Sequence, residues 1–442
     1  LGGGLYGDAN GFLLKNLNIY NNSAHYGGGI YSSGGDIILK NLIIFNNSAG
    51  IGGGMSLNHD NPGNSCEIIN CTVIENSANV GAGLVFQRAT IVNSIFTQNK
   101  PSNIDFSPWG NGYILNISYS NIAGAQDSIN NVENNTLTWG DGNIDVDPMF
   151  VDTANGNYHL LASSMLINAG HPDLTDSDGT RADMGAYPYL NNYFGPDWFV
   201  SESGNDITAT GSSDNPFRSI QAALNFGSDD DIAYVSAGTY NENLVYRYDQ
   251  SESIRSVSLI GDNKETTIID GQQIAACIKL PTGGYSSPLI KNFTIRNGYA
   301  NGVMEDNSFN QGGGIQIKDH YYPAYFSDLI IDNCTSVSGV TAGAGGGILS
   351  EGSSLEMSNV QISNNSAGIK GGGIYFYSGG DPMDYTLNIE NSYINGNSSN
   401  NKGGGVYIAK SLYIPIVQLS NTTVSNKIGR ASCRKECRSR WS

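Results

Sequence analysis

Cysteine is scarce in this chain. Six in 442 residues, at wide spacings, suit neither a compact disulfide scaffold nor a structural zinc site. Cys71 and Cys334 fall in or beside short apolar runs and read as small buried residues. Proline is low at 13, and no Gly-X-Y period exists, which excludes collagen although glycine, at 57, is about twice its usual share. No apolar run is long enough to cross a bilayer, so no direct membrane insertion is expected. No leader is visible either, but the chain opens at Leu1 inside a repeat, as a fragment that has lost its leader would. Basic residues are few, 22 against 40 acidic ones, and six of the 22 lie in the last sixteen positions. Residues 1–426 alone carry a net charge of −23. Such a surface repels nucleic acid and anionic lipid, and it disfavours a polyanionic polysaccharide unless calcium or a local basic patch intervenes.

What is present is repetition. Gly2-Gly3-Gly4, Gly27-Gly28-Gly29 and Gly52-Gly53-Gly54 follow one another at intervals of 25 residues. Each triplet opens a short apolar run, and an Asn-Asn-Ser-Ala turn precedes the second and third. Gly81-Ala82-Gly83 continues the series 29 residues on, the excess falling in the loop His59–Asn64. Self-similarity at a short fixed period means that one supersecondary unit is stacked on copies of itself.

The runs are too short for helices and rich in β-branched residues. A leucine-rich repeat has a similar period, but its Leu-x-x-Leu-x-Leu spacing is missing. A right-handed parallel β-helix fits: each coil adds a rung to two or three parallel sheets, with alternate residues pointing into a narrow apolar interior. Asn16, Asn41, Asn70 and Asn93 recur at one point of the coil. They read as corner residues, because asparagine tolerates the left-handed conformation and its amide can bond the matching amide a rung away. The Asn-x-Ser sequons at Asn21 and Asn46 are by-products of turn composition. The glycine triplets lack a following Gly-Lys-Ser or Gly-Lys-Thr and precede strands, so they are corners and not phosphate loops.

The first array decays through Asp147-Pro148-Met149-Phe150, Tyr158-His159-Leu160, Ile167-Asn168-Ala169-Gly170 and Asp183-Met184-Gly185-Ala186-Tyr187, which are expected to cap its end. This segment resembles the carboxy-terminal part of bacterial extracellular β-helix proteins, the choice-of-anchor Q group among them. It departs from their pattern at Asn168 and Pro188. The resemblance implies a secreted or surface protein and implies no chemistry. Asp173, Asp176, Asp178 and Asp183, around an Asp-x-Asp-Gly turn, are candidate calcium ligands, with a solvated Asx-rich turn as the alternative.

Residues 191–197 form a linker. A second array begins at Trp198, with one amphipathic helix expected over 217–226, where it would cover the first open rung. Trp198-Phe199-Val200-Ser201, Gly204-Asn205-Asp206, Asn215-Pro216-Phe217, Ser219-Ile220-Gln221 and Gly238-Thr239-Tyr240-Asn241-Glu242 resemble the opening of pectate-lyase-like β-helix domains, the DUF1565 group included. The later coils, with triplets at Gly312, Gly345, Gly371 and Gly403, also resemble polymorphic outer-membrane and autotransporter passenger repeats. The expected architecture is therefore all-β: a right-handed parallel β-helix solenoid, pectate-lyase-like, with two arrays in tandem at 1–190 and 198–426. Residues 427–442 change composition abruptly and are expected to be a non-native tail outside the fold.

Two functional readings stay open. An extracellular or outer-surface protein, adhesin-like, glycan-binding or structural, would use Tyr321, Tyr322, Tyr325, Tyr375, Tyr377 and Tyr385, which cluster near two long loops and could stack on sugars. Its partner would be an extracellular polysaccharide or cell-surface glycan, and the chain a monomer. The alternative is a calcium-dependent polysaccharide lyase or a glycoside hydrolase. Lys291, Arg296 and Lys318 are then the candidate bases, and Asp270, Asp306, Asp319, Asp328 and Asp332 possible oxygen ligands. Calcium is the only cofactor the sequence suggests.

Overall fold

The computed structural model of the chain describes residues 1–8, 11–58, 63–129, 134–247, 256–280, 287–301, 304–305, 308–309, 311–320, 322–337, 343–379, 384–410, 414–426 and 428–429. Asp306, Tyr321 and most of the tail fall outside them. The fold is an all-β, right-handed parallel β-helix. The chain divides into two compact units, Leu1–Asn192 and Tyr193–Ser442.

In the first unit, successive coils pair in register with the next. Leu5–Gly7, Ile30–Ser32, Met55–Leu57, Leu84–Phe86 and Ile104–Phe106 form one parallel sheet. Phe12–Tyr20 and Ile37–Phe45 begin a second, and each of these long strands bends midway at its corner asparagine. Asn16, Asn41, Asn70 and Asn93 all take positive φ, between 50° and 57°. Asn41 donates its amide to Asn16 Oδ1 at 3.0 Å, the rung-to-rung bond expected from the sequence. Beyond the corner, Ile19, Ile44, Val73, Phe96 and Ile122 point inward and are buried. A second ladder of amides, Asn22, Asn47, Asn76 and Asn99, runs inside the turn before the glycine triplets.

Asn18, Ile43, Thr72 and Ile95 form an outward row beside that core, as do Tyr20, Phe45 and Ile74. Apolar residues on an outer face need a cover. Residues 148–187 supply it: Tyr158 and Ala186 pack on Ile43 and Ile74, with Phe45, Phe150 and Tyr187 around them. Ala186 N–H donates to Thr72 Oγ1 at 3.1 Å and Gly185 N–H to the Asn93 carbonyl at 2.7 Å. The segment expected to cap the end thus runs back along the side of the coils, and Ile129, Leu137 and Trp139 pack against the core near that end instead.

The second unit has a six-stranded parallel sheet from Leu244–Val245 to Val406–Lys410, and a larger sheet that includes Leu289–Arg296, Ala324–Asp332, Leu355–Ser358, Thr386–Glu390 and Ile416–Ser420. The helix spans Ile220–Phe226, shorter than expected. Phe217 bridges to Val200 as strand, and Ser219 caps the helix by accepting Ala222 N–H. The helix lies against Asp197–Val200, Ile232–Val235 and Leu244–Val245, over the first rung, and every one of its residues is buried. The four cysteines ahead of the tail are buried free thiols.

Candidate functional site

On the strand from Leu289 to Arg296, Lys291 and Arg296 stand on opposite sides of the corner at Asn292, whose φ is 64°. Lys318 lies on the six-stranded sheet. The three candidate bases therefore occupy different faces of the coil. Lys291 Nζ is 3.7 Å from Asp328 Oδ2, and Arg296 Nε is 2.7 Å from Asp270 Oδ2. Burial would raise the Asp270 carboxyl, but hydrogen bonds from Asn297, Arg296 and the Gln272 N–H outweigh it and hold it below the usual carboxylate range.

The candidate oxygen ligands are also committed. Asp328 has φ 54° and occupies the corner row with Asn292 and Asn359, accepting the Asn359 amide at 2.6 Å. Asp332 Oδ1 accepts Ser363 Oγ and Asn364 Nδ2, both at 2.8 Å. Asp319 takes a corner conformation, with φ 42°. Among the described residues no three His, Cys, Asp or Glu side chains converge as a metal site.

Asp173, Asp176, Asp178 and Asp183 build a turn held by backbone N–H groups. Asp183 accepts Asn168 N–H and Tyr189 N–H at 2.6 Å each, Asp176 accepts Asp183 N–H, and Asp178 accepts Thr180 N–H and Asn191 N–H. Asp173 is exposed, 4.0 Å from His171 Nδ1. The carboxylates of Asp176, Asp178 and Asp183 thus accept backbone N–H groups, whereas that of Asp173 does not. Burial pushes Asp176 up to about 6 and Asp183 well above the usual range, repulsion from Asp178 adding to the first and from Asp176 and Asp178 to the second. A carboxyl whose folded pKa is raised contributes stability that is full below its unfolded value and is lost as pH rises through the folded value. The first unit should therefore be more stable at a pH of about 4 than above about 6. Thermal midpoints at pH 5 and pH 8 in EDTA check this, and Asp176→Asn should flatten the difference.

The tyrosines do not share one surface. Tyr375 stacks on Tyr407, with ring centroids 5.6 Å apart, on the outer face of the six-stranded sheet, where Tyr377 also points outward. Tyr385 is buried, and Tyr322 is exposed beside His320, whose Nδ1 lies 2.7 Å from its carbonyl. Tyr325 is 42% exposed and belongs to a shallow groove of about 260 Å³. The inward residues there are Ile290, Phe326, Met357 and Ile389. Outward, Leu289, Tyr325, Glu356 and Asn388 make one row, and Lys291, Ser327, Ser358 and Glu390 the next. Glu356 is fixed by both oxygens, accepting Asn388 Nδ2 at 3.0 Å and Thr386 Oγ1 at 3.3 Å. Glu390, one rung on, is exposed, and no side chain among the described residues bonds its carboxylate. Sequence reasoning found Tyr325 and Lys291 but missed Glu356, Asn388 and Glu390.

No family model and no curated protein matches the chain. Among solved structures it is similar to pectin methylesterase PemA from Erwinia chrysanthemi, at 15% identity over 52% of this chain and 80% of that one, with a TM-score of 0.28. It is similar to the carrot pectin methylesterase at 12% identity, over 53% and 88%, with a TM-score of 0.26. A third likeness is to the PL6 family alginate lyase AlyGC, at 13% identity over 95% and 68%, with a TM-score of 0.23. Similarity this distant carries nothing about chemistry, and the strand register itself defines the β-helix.

Proposed function

We propose that this chain is a polysaccharide-binding β-helix protein of the cell exterior, and that the Tyr325 groove of the second unit is a binding surface. The observation that carries the reading is the arrangement of the outward rows. An exposed phenol ring lies one rung from a fixed carboxylate and two from a carboxamide, and the rungs repeat at about 4.8 Å, close to the length of one sugar unit. An aromatic plane takes the apolar face of a pyranose, while Glu356, Asn388 and Glu390 offer hydrogen bonds to its hydroxyls. With two glutamates in the groove and a negative chain around it, neutral glycans are the expected partners. Polygalacturonate should bind only when calcium bridges the two sets of carboxylates.

Glu356 and Glu390 also support a second reading, glycoside hydrolysis. It needs two carboxyl groups in one groove, and here one is held by hydrogen bonds and the other is bare. A lyase has less support, because Lys291 and Arg296 are each bound to an aspartate and Lys318 lies on another sheet.

Affinity electrophoresis against neutral and acidic polysaccharides, with and without calcium, tests the binding reading. Tyr325→Ala is expected to weaken retention by roughly tenfold. Equal retention of the variant would overturn the assignment of the groove. Reducing ends and unsaturated products measured on the same panel decide between binding and cleavage. If reducing ends accumulate, Glu356→Gln and Glu390→Gln should abolish them.

A further inference from the structure

On the side of the first unit the cover reaches the first described coil through Tyr187, which meets Asn18. There the outward face and the 3-10 turn Thr153–Asn155 enclose a groove of about 430 Å³. Its floor is aromatic: Tyr20, 51% exposed, stacks on Phe45 with centroids 4.8 Å apart and planes 12° from parallel, and Phe45 abuts Tyr158. Tyr187 forms one wall, its ring stacked on His159 and its hydroxyl donating to Asn18 Oδ1 at 3.2 Å.

The polar groups at the rim are carboxamides. Asn21 and Asn46 occupy one corner row with φ 57° and 52°, both exposed. In the parallel corner row Asn41 bonds to Asn16, whereas the side chains of Asn21 and Asn46 have no partner among the described residues. Asn155 approaches from the turn, its amide donating to Asp152 Oδ2 at 2.6 Å behind the rim, and no residue lining the groove carries a charge. An open aromatic shelf edged by the unpaired amides of Asn21 and Asn46, each offering donors and an acceptor, is chemistry for vicinal hydroxyls above an apolar ring face.

We infer that this groove is a second saccharide site, built by the cover segment against the coil face and selective for a neutral oligosaccharide. Uncharged lining gives an anionic sugar no counter-charge, and the acidic chain around it repels one. The inference goes beyond the Tyr325 surface, since it lies in the other unit and rests on different residues.

Saturation-transfer NMR and calorimetry on the full chain test it, with cellohexaose, xylohexaose and mannohexaose as neutral probes and trigalacturonate as the acidic one. At least one neutral probe should bind. Tyr20→Ala, at an exposed position, should weaken that binding roughly fivefold or more. Asn46→Gly, which keeps the left-handed corner available, should weaken it while leaving the thermal midpoint within a few degrees. Tyr325→Ala should leave this component unchanged. Silence from all three neutral probes overturns the site, as does tighter binding of trigalacturonate, or binding that survives Tyr20→Ala and Asn46→Gly. Loss of all binding on Tyr325→Ala alone would sink this site and leave the second-unit groove standing.

Discussion

Replacing Asn76 with alanine should destabilise the first unit by about 3–5 kcal/mol. The side chain is 1% exposed and sits mid-ladder. Its Oδ1 accepts both the backbone N–H and the side-chain amide of Asn47, at 3.0 Å each, and its Nδ2 donates to the carbonyls of Ile44 and Ile74 and to Asn99 Oδ1. Truncation strands the Asn47 N–H away from water, at about 1–3 kcal/mol, takes a donor from the Ile44 and Ile74 carbonyls, and leaves a void beside them, although Asn47 Nδ2 keeps the Ile19 and Phe45 carbonyls. For a unit of this size the thermal midpoint should fall by roughly 10 °C. Asn76→Cys should lie between the two, because Cys334 stands in line with a buried amide ladder of the second unit, where its N–H donates to Asn365 Oδ1 and its thiol accepts Gly298 N–H. Asn41→Ala is the control. That corner amide makes one exposed bond to Asn16, so its loss should cost only about 1–2 kcal/mol, mostly from forcing alanine to positive φ. Equal midpoints for Asn76→Ala and Asn41→Ala would show that the buried ladder has no special weight.

The difference between those two asparagines also marks how far the sequence could be read. Both rows recur in the coils, but corner asparagines interrupt apolar runs and so are visible, whereas Asn47 and Asn76 sit in turns whose composition alone explains them. Only the stacking shows that their amides face inward. Similarly, the rows of the Tyr325 groove were present in the chain. Leu289, Tyr325, Glu356 and Asn388 each stand three residues before a corner, and Lys291, Ser327, Ser358 and Glu390 one before it. Aligning coils on Asn292, Asn359 and Asn391 would have found them, but the corner between the first two is an aspartate, Asp328, which reads by itself as a charged ligand. The cover over Ile43 and Ile74 was less legible still. Residues 148–187 carry no repeat, and nothing in their linear pattern states which face of the coils they lie against. The apolar outward positions Ile43, Phe45 and Ile74 were the available signal, since a solvated face would not carry three of them.

The glycine triplets should tolerate a methyl group far less evenly than their identical sequences suggest. A Cβ on Gly372 would lie 2.2 Å from the Ser398 carbonyl oxygen and 2.4 Å from that of Gly404, both backbone atoms of the next coil. Neither can retreat, because Gly372 N–H and Gly373 N–H are bonded to the carbonyls of Gly403 and Gly404 at 3.0 Å, and moving them would open the rungs beyond. Gly372→Ala is therefore expected to cost about 4 kcal/mol or more, enough to lower the second unit's midpoint by over 10 °C or prevent its folding. The same central position in the fourth coil is alanine already. Ala82 is fully buried, and the coil after it brings Ser102 and Asn103 to the place where another triplet would pass, so its methyl has room. Ala82→Gly should accordingly cost only about 1 kcal/mol, from lost packing and added chain entropy. If Gly372→Ala leaves too little soluble protein to melt, its yield beside Ala82→Gly still reads the contrast. Comparable yields and midpoints for the two variants would mean that the triplets are required by turn geometry and not by the approach of one coil to the next. Large loss at Gly372 with little at Ala82 would place the constraint between coils, where a solenoid keeps the energy that each repeat cannot supply alone.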